Sequence, residues 1–477
     1  MLQESKIISK EDPTISIAGK SQEGVALNES ALSEGVEKMK LVDINESEYE
    51  RVRLEEISLS LKDRKIKTFG WVTKSTSVKS RCFFHLSSAF STVKCVVEGD
   101  HGFTFQTSLT IYGTVVEPVK RRDEFLFEIA VDKYEIYNSM PAPTFPLNAQ
   151  SEKETRLDNG HLALRMKDRE LFVKARSTLL HLMREYYFKN KYTEITPPTL
   201  VQTQVEGGAT LFSLDYYGEK AYLTQSSQLY LETVAPVVGK AYCIMPSYRA
   251  EKSKTSRHLS EFTHVEAELV DVSFSELMDS IEGLVRYSIT EFYKTMLEDI
   301  QKVVPDFVPV TLSEKPFKKL SYRDAIEYLR SKNHLKPDGT AYEYMDDIAD
   351  ASEKFICAEY GVNQPVFLTH FPHALKSFYM KKIDGDLTES CDLLFPAVGE
   401  TVGGSMRLDN YQQLVDAFKN EGIAPGPYYW YLDMARYGPS KHGGYGLGFE
   451  RLLMALMKYK NVDESCIYPR KVSRCQP

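Results

Sequence analysis

The stretch 247–270, SYRAEKSKTSRHLSEFTHVEAELV, limits the possible folds of this 477-residue chain more than any other segment. Residues alternate with period two at both of its ends. Arg249 and Glu251 point one way; Phe262, His264, Glu266 and Glu268 share a face, and Val265, Ala267 and Leu269 take the opposite one. Period two is the mark of an extended strand. The pattern predicts two antiparallel strands joined by a polar loop over 252–259, with one face in a core. The other face gathers a guanidinium, carboxylates, an aromatic ring and an imidazole. A nucleotide pocket needs such groups: a cation for phosphate oxygens, a ring to stack on a base, and acceptors for amino groups. A salt-bridged exposed sheet would show the same alternation.

Two later segments carry related chemistry. In 392–407, DLLFPAVGETVGGSMR, Asp392 and Glu400 flank a glycine pair and suit oxygen ligation of Mg²⁺ on a strand. Gly403 and Gly404 remove side chains where a ligand could approach the backbone, and Ser405 and Arg407 share a face. A surface hairpin is the plainer reading. In 443–453, GGYGLGFERLL, Gly444, Gly446 and Gly448 alternate with Tyr445, Leu447 and Phe449, and Glu450 and Arg451 open a helix. Glycine at every second position bares one face of a strand, so a flat ligand could lie there. A tightly packed structural strand has the same composition. The segment matches neither a P-loop nor GxGxxG.

The rest of the chain organises around these segments as an α+β protein. Residues 1–50 hold eleven acids and five lysines, so most of the formal charge of -8 lies there and the remainder carries only about -2. They read as an acidic, mobile extension with a short helix near 34–41. An acidic total is therefore no argument against a nucleic-acid partner, which needs only a local basic face. Residues 51–140 contain β-prone runs at 65–72, 81–86, 92–97, 108–115 and 125–137, suiting an OB-fold barrel. A proline-bearing hinge follows over 141–165. Residues 166–477 form a larger domain. It opens on an amphipathic helix marked by Phe172, Ala175, Leu179, Leu182, Met183 and Tyr186, then a strand at 192–196 that stops at Pro197 and Pro198. An insertion is expected near 300–375. Seven cysteines without CxxC spacing argue against zinc or a disulfide framework. No apolar run is long enough to cross a membrane, the N-terminus carries neither a secretory core nor arginine, and a cytoplasmic location follows.

Taken together and in order, the three segments resemble the motifs of class II aminoacyl-tRNA synthetases. The helix and strand ending at Pro197 resemble the dimer-interface motif. The barrel resembles the anticodon-binding domain of the aspartyl, asparaginyl and lysyl subgroup, and the likeness covers roughly 55–477. Within the subgroup LTQSSQLYLE, VGGSMR and YYWYLDMARYG are most similar to the eukaryotic cytosolic asparaginyl enzymes. The resemblance implies an antiparallel catalytic sheet flanked by helices, a homodimer, ATP and Mg²⁺ as cofactors, and asparagine and tRNA(Asn) as substrates. It implies that Arg249 and Arg451 are catalytic. Arg249, Glu251, Arg257, His258, Leu259, Phe262, Glu400, Gly448 and Arg451 would bind ATP, and Asp392 and Glu400 the metal. Gln225, Gln228, Glu266, Ser405 and Arg407 would hold the amino acid. Phe83, with Phe84 as rival, would stack on an anticodon base beside Lys94.

Aspartyl enzymes place a lysine three residues after the glutamine matching Gln228; here that position is Leu231. Glu266 stands where they carry Asp. Losing a cation while keeping an anion favours an amide over a carboxylate. Two departures touch the barrel: Ser87-Ser88 replaces Arg-Asp, and Lys94 replaces a glutamine. Alternative readings are an aspartyl or non-discriminating enzyme, an inactive synthetase-like RNA-binding protein, and an ammonia-dependent asparagine synthetase. Arg249, Glu400 and Arg451 count against the second, and the barrel against the third.

Overall fold

The computed structural model describes residues 44–118, 125–137, 145–205, 211–252 and 257–477. The expected extension over 1–43, its helix at 34–41 and the start of the hinge at 141–144 lie outside the described residues. The chain forms two compact units, Met1–Thr144 and Phe145–Pro477.

In the first unit, β1 (Lys65–Val78), β2 (Arg81–Ser88), β3 (Ser91–Glu98), β4 (Ser108–Val116) and β5 (Glu128–Ile136) follow the order β1-β2-β3-β5-β4, and β1 also pairs with β4. That second pairing closes the sheet into an OB-like barrel. Closure removes the edges that an open sheet would expose. Ile66, Val72, Cys82, Phe84, Leu86, Cys95, Leu109, Ile111 and Ile129 fill it. Alternation decides between the two phenylalanines: Phe84 is fully buried, so Phe83 faces outward, with Lys94 Nζ 5.5 Å above its ring.

The second unit is built on an eight-stranded sheet. It contains β6 (Thr193–Glu194), β7 (Lys240–Tyr248), β8 (Glu261–Val270), β9 (Lys318–Ser321), β10 (Val366–Thr369), β11 (Ser390–Phe395), β12 (Gly399–Met406) and β13 (His442–Gly448). Their order is β9-β10-β11-β12-β13-β8-β7-β6, antiparallel except at the two outer pairs. The strand expected over 192–196 is only two residues long, an edge strand cut short by Pro197. Segment 300–375 supplies β9 and β10 to the sheet and the helix Asp350–Glu359 beside it.

One sheet face packs on α1 (Lys167–Lys189) and the long α2 (Phe274–Val303). Asp168 and Glu170 open α1, where its dipole favours anions, and a Ser273–Glu276 capping box fixes the start of α2. Phe172, Leu179 and Met183 of α1 and Leu284 and Phe292 of α2 meet Val265, Ala267, Tyr445 and Leu447 from β8 and β13. Each fully buried large apolar side chain contributes roughly 1.5–3 kcal/mol over its exposed state. The apolar half of the period-two pattern thus becomes the core. Its polar half lines a cleft on the opposite side. Within the expected hinge, short helices form at Lys153–Asp158 and Gly160–Ala163, and Arg474 ties the first to the C-terminus by pairing with Asp158 and Glu154.

Candidate active site

The polar face of β8, the hairpin β11–β12 and the end of β13 enclose a cavity of about 290 Å³. Arg249, Glu251, Arg257, His258, Leu259, Phe262, Glu266, Asp392, Glu400, Arg407, Gly448 and Arg451 all border it. Residues from segments as far apart as 249 and 451 converge because β8 lies between β7 and β13, with β12 on the far side of β13. The register seats His264 opposite Gly448 and Glu268 opposite Gly444.

One end of the cavity gathers arginines. The Arg249 guanidinium lies 5.5 Å over the Phe262 ring. Arg451 Nη1 donates to the Glu400 carbonyl at 2.7 Å and stands 3.3 Å from Glu400 Oε2. Arg257 pairs with Asp350 at 3.1 Å and with Glu353, and Glu353 also accepts the Glu400 N–H at 2.9 Å. Leu259 packs beside Phe262 with Met454 and Val462, fixing the aromatic from behind. Glu450 also borders the cavity; it accepts from Thr263 N (2.9 Å) and pairs with Arg176 (3.1 Å), and so anchors the helix Phe449–Met457 to β8. Desolvation works against the Glu400 charge, but Arg451, Lys376, Arg257 and Arg249 overcome it and hold the carboxyl down at about 2. Burial, with Arg451 nearby, lowers the titration of His258 and leaves a neutral ring that can donate one hydrogen bond.

The second carboxylate of this end, Asp392, is paired with Lys376 at 2.6 Å, and burial pushes it up to about 6. A Cβ placed on Gly403 would stand 3.5 Å from Glu400 Oε1 and 3.7 Å from Asp392 Oδ1, so the two carboxylates meet above that glycine. Two hard oxygen donors beside a cluster of arginines fit Mg²⁺, whose remaining ligands would come from water and a bound anion. Among the described residues no group of three or more His, Cys, Asp or Glu could hold a metal alone.

The other end is sealed. Glu266 accepts from Ser226 Oγ and from Ser227 N at 2.9 Å, and His264 Nδ1 stands 3.3 Å from it. Arg407 donates through Nε to Glu268 at 3.2 Å and through Nη1 to Ser405 Oγ at 2.7 Å. Burial opposes the Arg407 charge, but Glu268 and Glu232 keep the guanidinium firmly protonated. Gln225, Gln228 and Ser405 do not border the cavity; they brace its wall. Gln225 accepts from Val205 N at 3.0 Å, and Gln228 Nε2 donates to Glu232 Oε1 at 2.9 Å. Leu231 is buried with Ala235, Ala241 and Cys243 in a small apolar cluster, so this position carries no charge. Phe83 and Lys94 belong to the other unit. Pro197 is buried at the end of β6, while Phe188 and Leu200, on either side of it in sequence, are exposed.

The bare glycine face does not lie open as the sequence suggested. A Cβ on Gly444 would fall 2.0 Å from Glu268 Oε1, and one on Gly446 would fall 2.3 Å from His264 Nε2. These glycines make room for side chains of the neighbouring strand, and only Gly448 leaves space toward the cavity. Sequence reasoning also passed over Lys376, Glu353, Glu232 and His442. Glu232 had one available signal, its helical spacing of four from Gln228.

A family model for tRNA synthetases class II (D, K and N) matches residues 152–472. A probable cytoplasmic asparagine–tRNA ligase of Enterocytozoon bieneusi is 59% identical over 93% of this chain and 96% of its own length. The cytoplasmic asparagine–tRNA ligase of Bos taurus is 42% identical over 87% of this chain and 76% of its own length. Among solved structures, Entamoeba histolytica asparaginyl-tRNA synthetase in complex with asparaginyl-adenylate superposes with a TM-score of 0.82. It is 36% identical, and the match covers 90% of this chain and 99% of that one.

Proposed function

The chain belongs to the class II tRNA synthetases of the D, K and N group, and from that premise we propose how its cleft works. It activates asparagine with ATP to form asparaginyl-adenylate and transfers the aminoacyl group to tRNA(Asn), in the cytoplasm, where its relatives' names put theirs. The observation that carries this reading is the convergence of Arg249, Phe262, Glu400 and Arg451 on one wall system with Glu266 and Arg407.

Each residue then takes a role. Phe262 stacks on adenine, Arg451 covers its other side near the γ-phosphate, and Glu251 accepts from the adenine amino group or guides the acceptor end of tRNA. Arg257 and His258 serve the pyrophosphate. The asparagine carboxylate attacks the α-phosphorus in line and pyrophosphate leaves, so no protein base is needed. Arg249 holds the α-phosphate oxygens as charge builds on them, the kind of fixed donor that lowers such barriers. Asp392 and Glu400 would hold magnesium, which supplies charge neutralisation on the phosphates. Arg407 faces the side-chain carbonyl of asparagine, and Glu266 accepts from its amide NH₂. A ribose hydroxyl of the tRNA end then takes the acyl group from the adenylate.

Two further assignments extend this. Phe83 stacks on an anticodon base, with Lys94 above the ring. The chain pairs as a homodimer through the Pro197 region, where exposed Phe188 and Leu200 flank an edge strand; sedimentation at micromolar concentration tests that. The overall reading is tested by charging tRNA(Asn) with labelled asparagine in the presence of ATP and magnesium. Charging that requires all three supports it; charging with lysine instead would overturn it.

A further inference from the structure

Behind the sealed end of the cavity four charged side chains from four segments meet: Glu232 on the helix Gln228–Val238, Glu268 on β8, Arg407 just after β12, and His442 at the start of β13. The side chains of Glu232, Glu268 and Arg407 are 2–3% exposed, and that of His442 is 12% exposed. His442 Nδ1 lies 2.7 Å from the Ser440 carbonyl oxygen, and its Nε2 lies 3.0 Å from Glu232 Oε2. The Ser440 carbonyl can only accept, and so can Glu232 in its ionised form. A neutral imidazole has a single N–H, so with Glu232 ionised the arrangement is satisfied only when both ring nitrogens are protonated.

Glu232 is the hub. Its Oε2 also accepts from the Tyr431 hydroxyl at 2.9 Å; its Oε1 accepts from Gln228 Nε2 at 2.9 Å and stands 3.9 Å from Arg407 Nε. On the remaining side His442 and Glu232 border a second cavity of about 20 Å³ with Asp409, Tyr431 and Met434. We infer that His442 is a positioning residue for the amino acid: as an imidazolium it keeps Glu232 ionised, and Glu232 in turn fixes the Gln228 amide and shares Arg407 with Glu268. The inference rests on the reading that asparagine is activated at this site.

The electrostatics of His442 and Glu232 run the same way, while burial pushes Glu268 up to about 7 against the pull of Arg407, in wild type and variant alike. Burial opposes the His442 charge, but the hydrogen bond and field of Glu232, with Glu268 behind it, outweigh that and raise its titration above the ordinary value. Burial likewise opposes the Glu232 charge, and His442 and Arg407 pull its carboxyl below the usual range. A group raised on folding contributes fully below its unfolded value, about 6.5 for histidine, and loses that contribution as pH climbs through the raised value. A ring with one proton cannot serve both Ser440 and Glu232. As pH rises the pair gives up one proton: Glu232 stays ionised, loses the cation and the N–H that His442 supplied, and is left with Gln228, Tyr431 and Arg407 to hold it.

Pyrophosphate exchange, measured for the whole wild-type chain and for His442→Gln between about pH 6.5 and 9.5, tests this. At the acid end KM for asparagine in the variant should be about tenfold above wild type, with kcat and KM for ATP within about threefold. The KM ratio should fall toward one as pH rises, because the wild-type ring then loses its second proton. Titration of the free amino acid itself is common to both proteins and cancels in the ratio. A ratio constant with pH, or equal to one throughout, or a loss confined to kcat, would overturn the inference. Where His442→Gln does not fold, Glu232→Gln removes the anion that the imidazolium holds; its KM ratio should likewise be raised at the acid end and fall as pH rises, and the same three results would overturn the inference. Wild-type protein without any asparagine-dependent exchange would defeat the activity reading instead.

Discussion

The two ends of the cleft are built on opposite principles. At the end proposed for the phosphates the charged side chains stay partly in water: Arg451 is 19% exposed, Glu251 31% and Glu400 37%. At the end proposed for the amino acid Glu232, Glu268 and Arg407 are 3% exposed or less, and their charges are matched inside the protein by salt bridges and by His442. An end that receives a hydrated, multiply charged triphosphate can keep its arginines poised and partly solvated. An end that must tell an amide from a carboxylate gains by being dry, because unpaired polar groups cost most where water is absent. The difference teaches that binding charge and discriminating charge call for different burial.

Substitutions that distinguish the ends should therefore fail in different ways. The largest effect belongs to Arg407→Ala, which leaves Glu268 and Glu232 buried without their guanidinium. Breaking such a pair costs about 3–5 kcal/mol, so chemical denaturation should show a large loss of stability together with loss of asparagine activation. An unchanged unfolding midpoint would mean that the sealed end is not held by its own charges. Arg249→Ala comes next: the loss of one preorganised donor should lower adenylate formation by about 10²–10³-fold, with the unfolding midpoint close to wild type. Exchange near the wild-type rate would remove Arg249 from the α-phosphate.

The smallest effect lies outside the cleft altogether. Phe83→Ala should weaken tRNA charging through KM by the value of one stacked base, about 1–3 kcal/mol, and leave tRNA-independent exchange untouched. An equal effect from Phe84→Ala on tRNA KM, without loss of stability, would contradict the facing that alternation gives, since Phe84 sits in the barrel core.

Local periodicity carried most of what could be read in advance. The apolar positions of β8 and of the glycine strand were visible because a strand's alternation is written in consecutive residues; the same rule allowed only one of Phe83 and Phe84 to face outward, and the burial of Phe84 chose between them. What stayed hidden depends on partners distant in sequence. Lys376 finds Asp392 16 residues away, and Glu353 meets Arg257 96 residues away; neither belongs to a repeating pattern. The bare face of Gly444 and Gly446 looked like space for a ligand. The strand's own sequence could not reveal that Glu268 and His264 of its neighbour would fill it.

The contrast between the two ends comes down to whether the sealed end selects the amide. The direct measurement is steady-state exchange with asparagine and with aspartate on the same preparation. An end that carries buried Glu266 and an uncharged Leu231 should reject aspartate by roughly 10⁴ in kcat/KM. Equal efficiency with aspartate would contradict it.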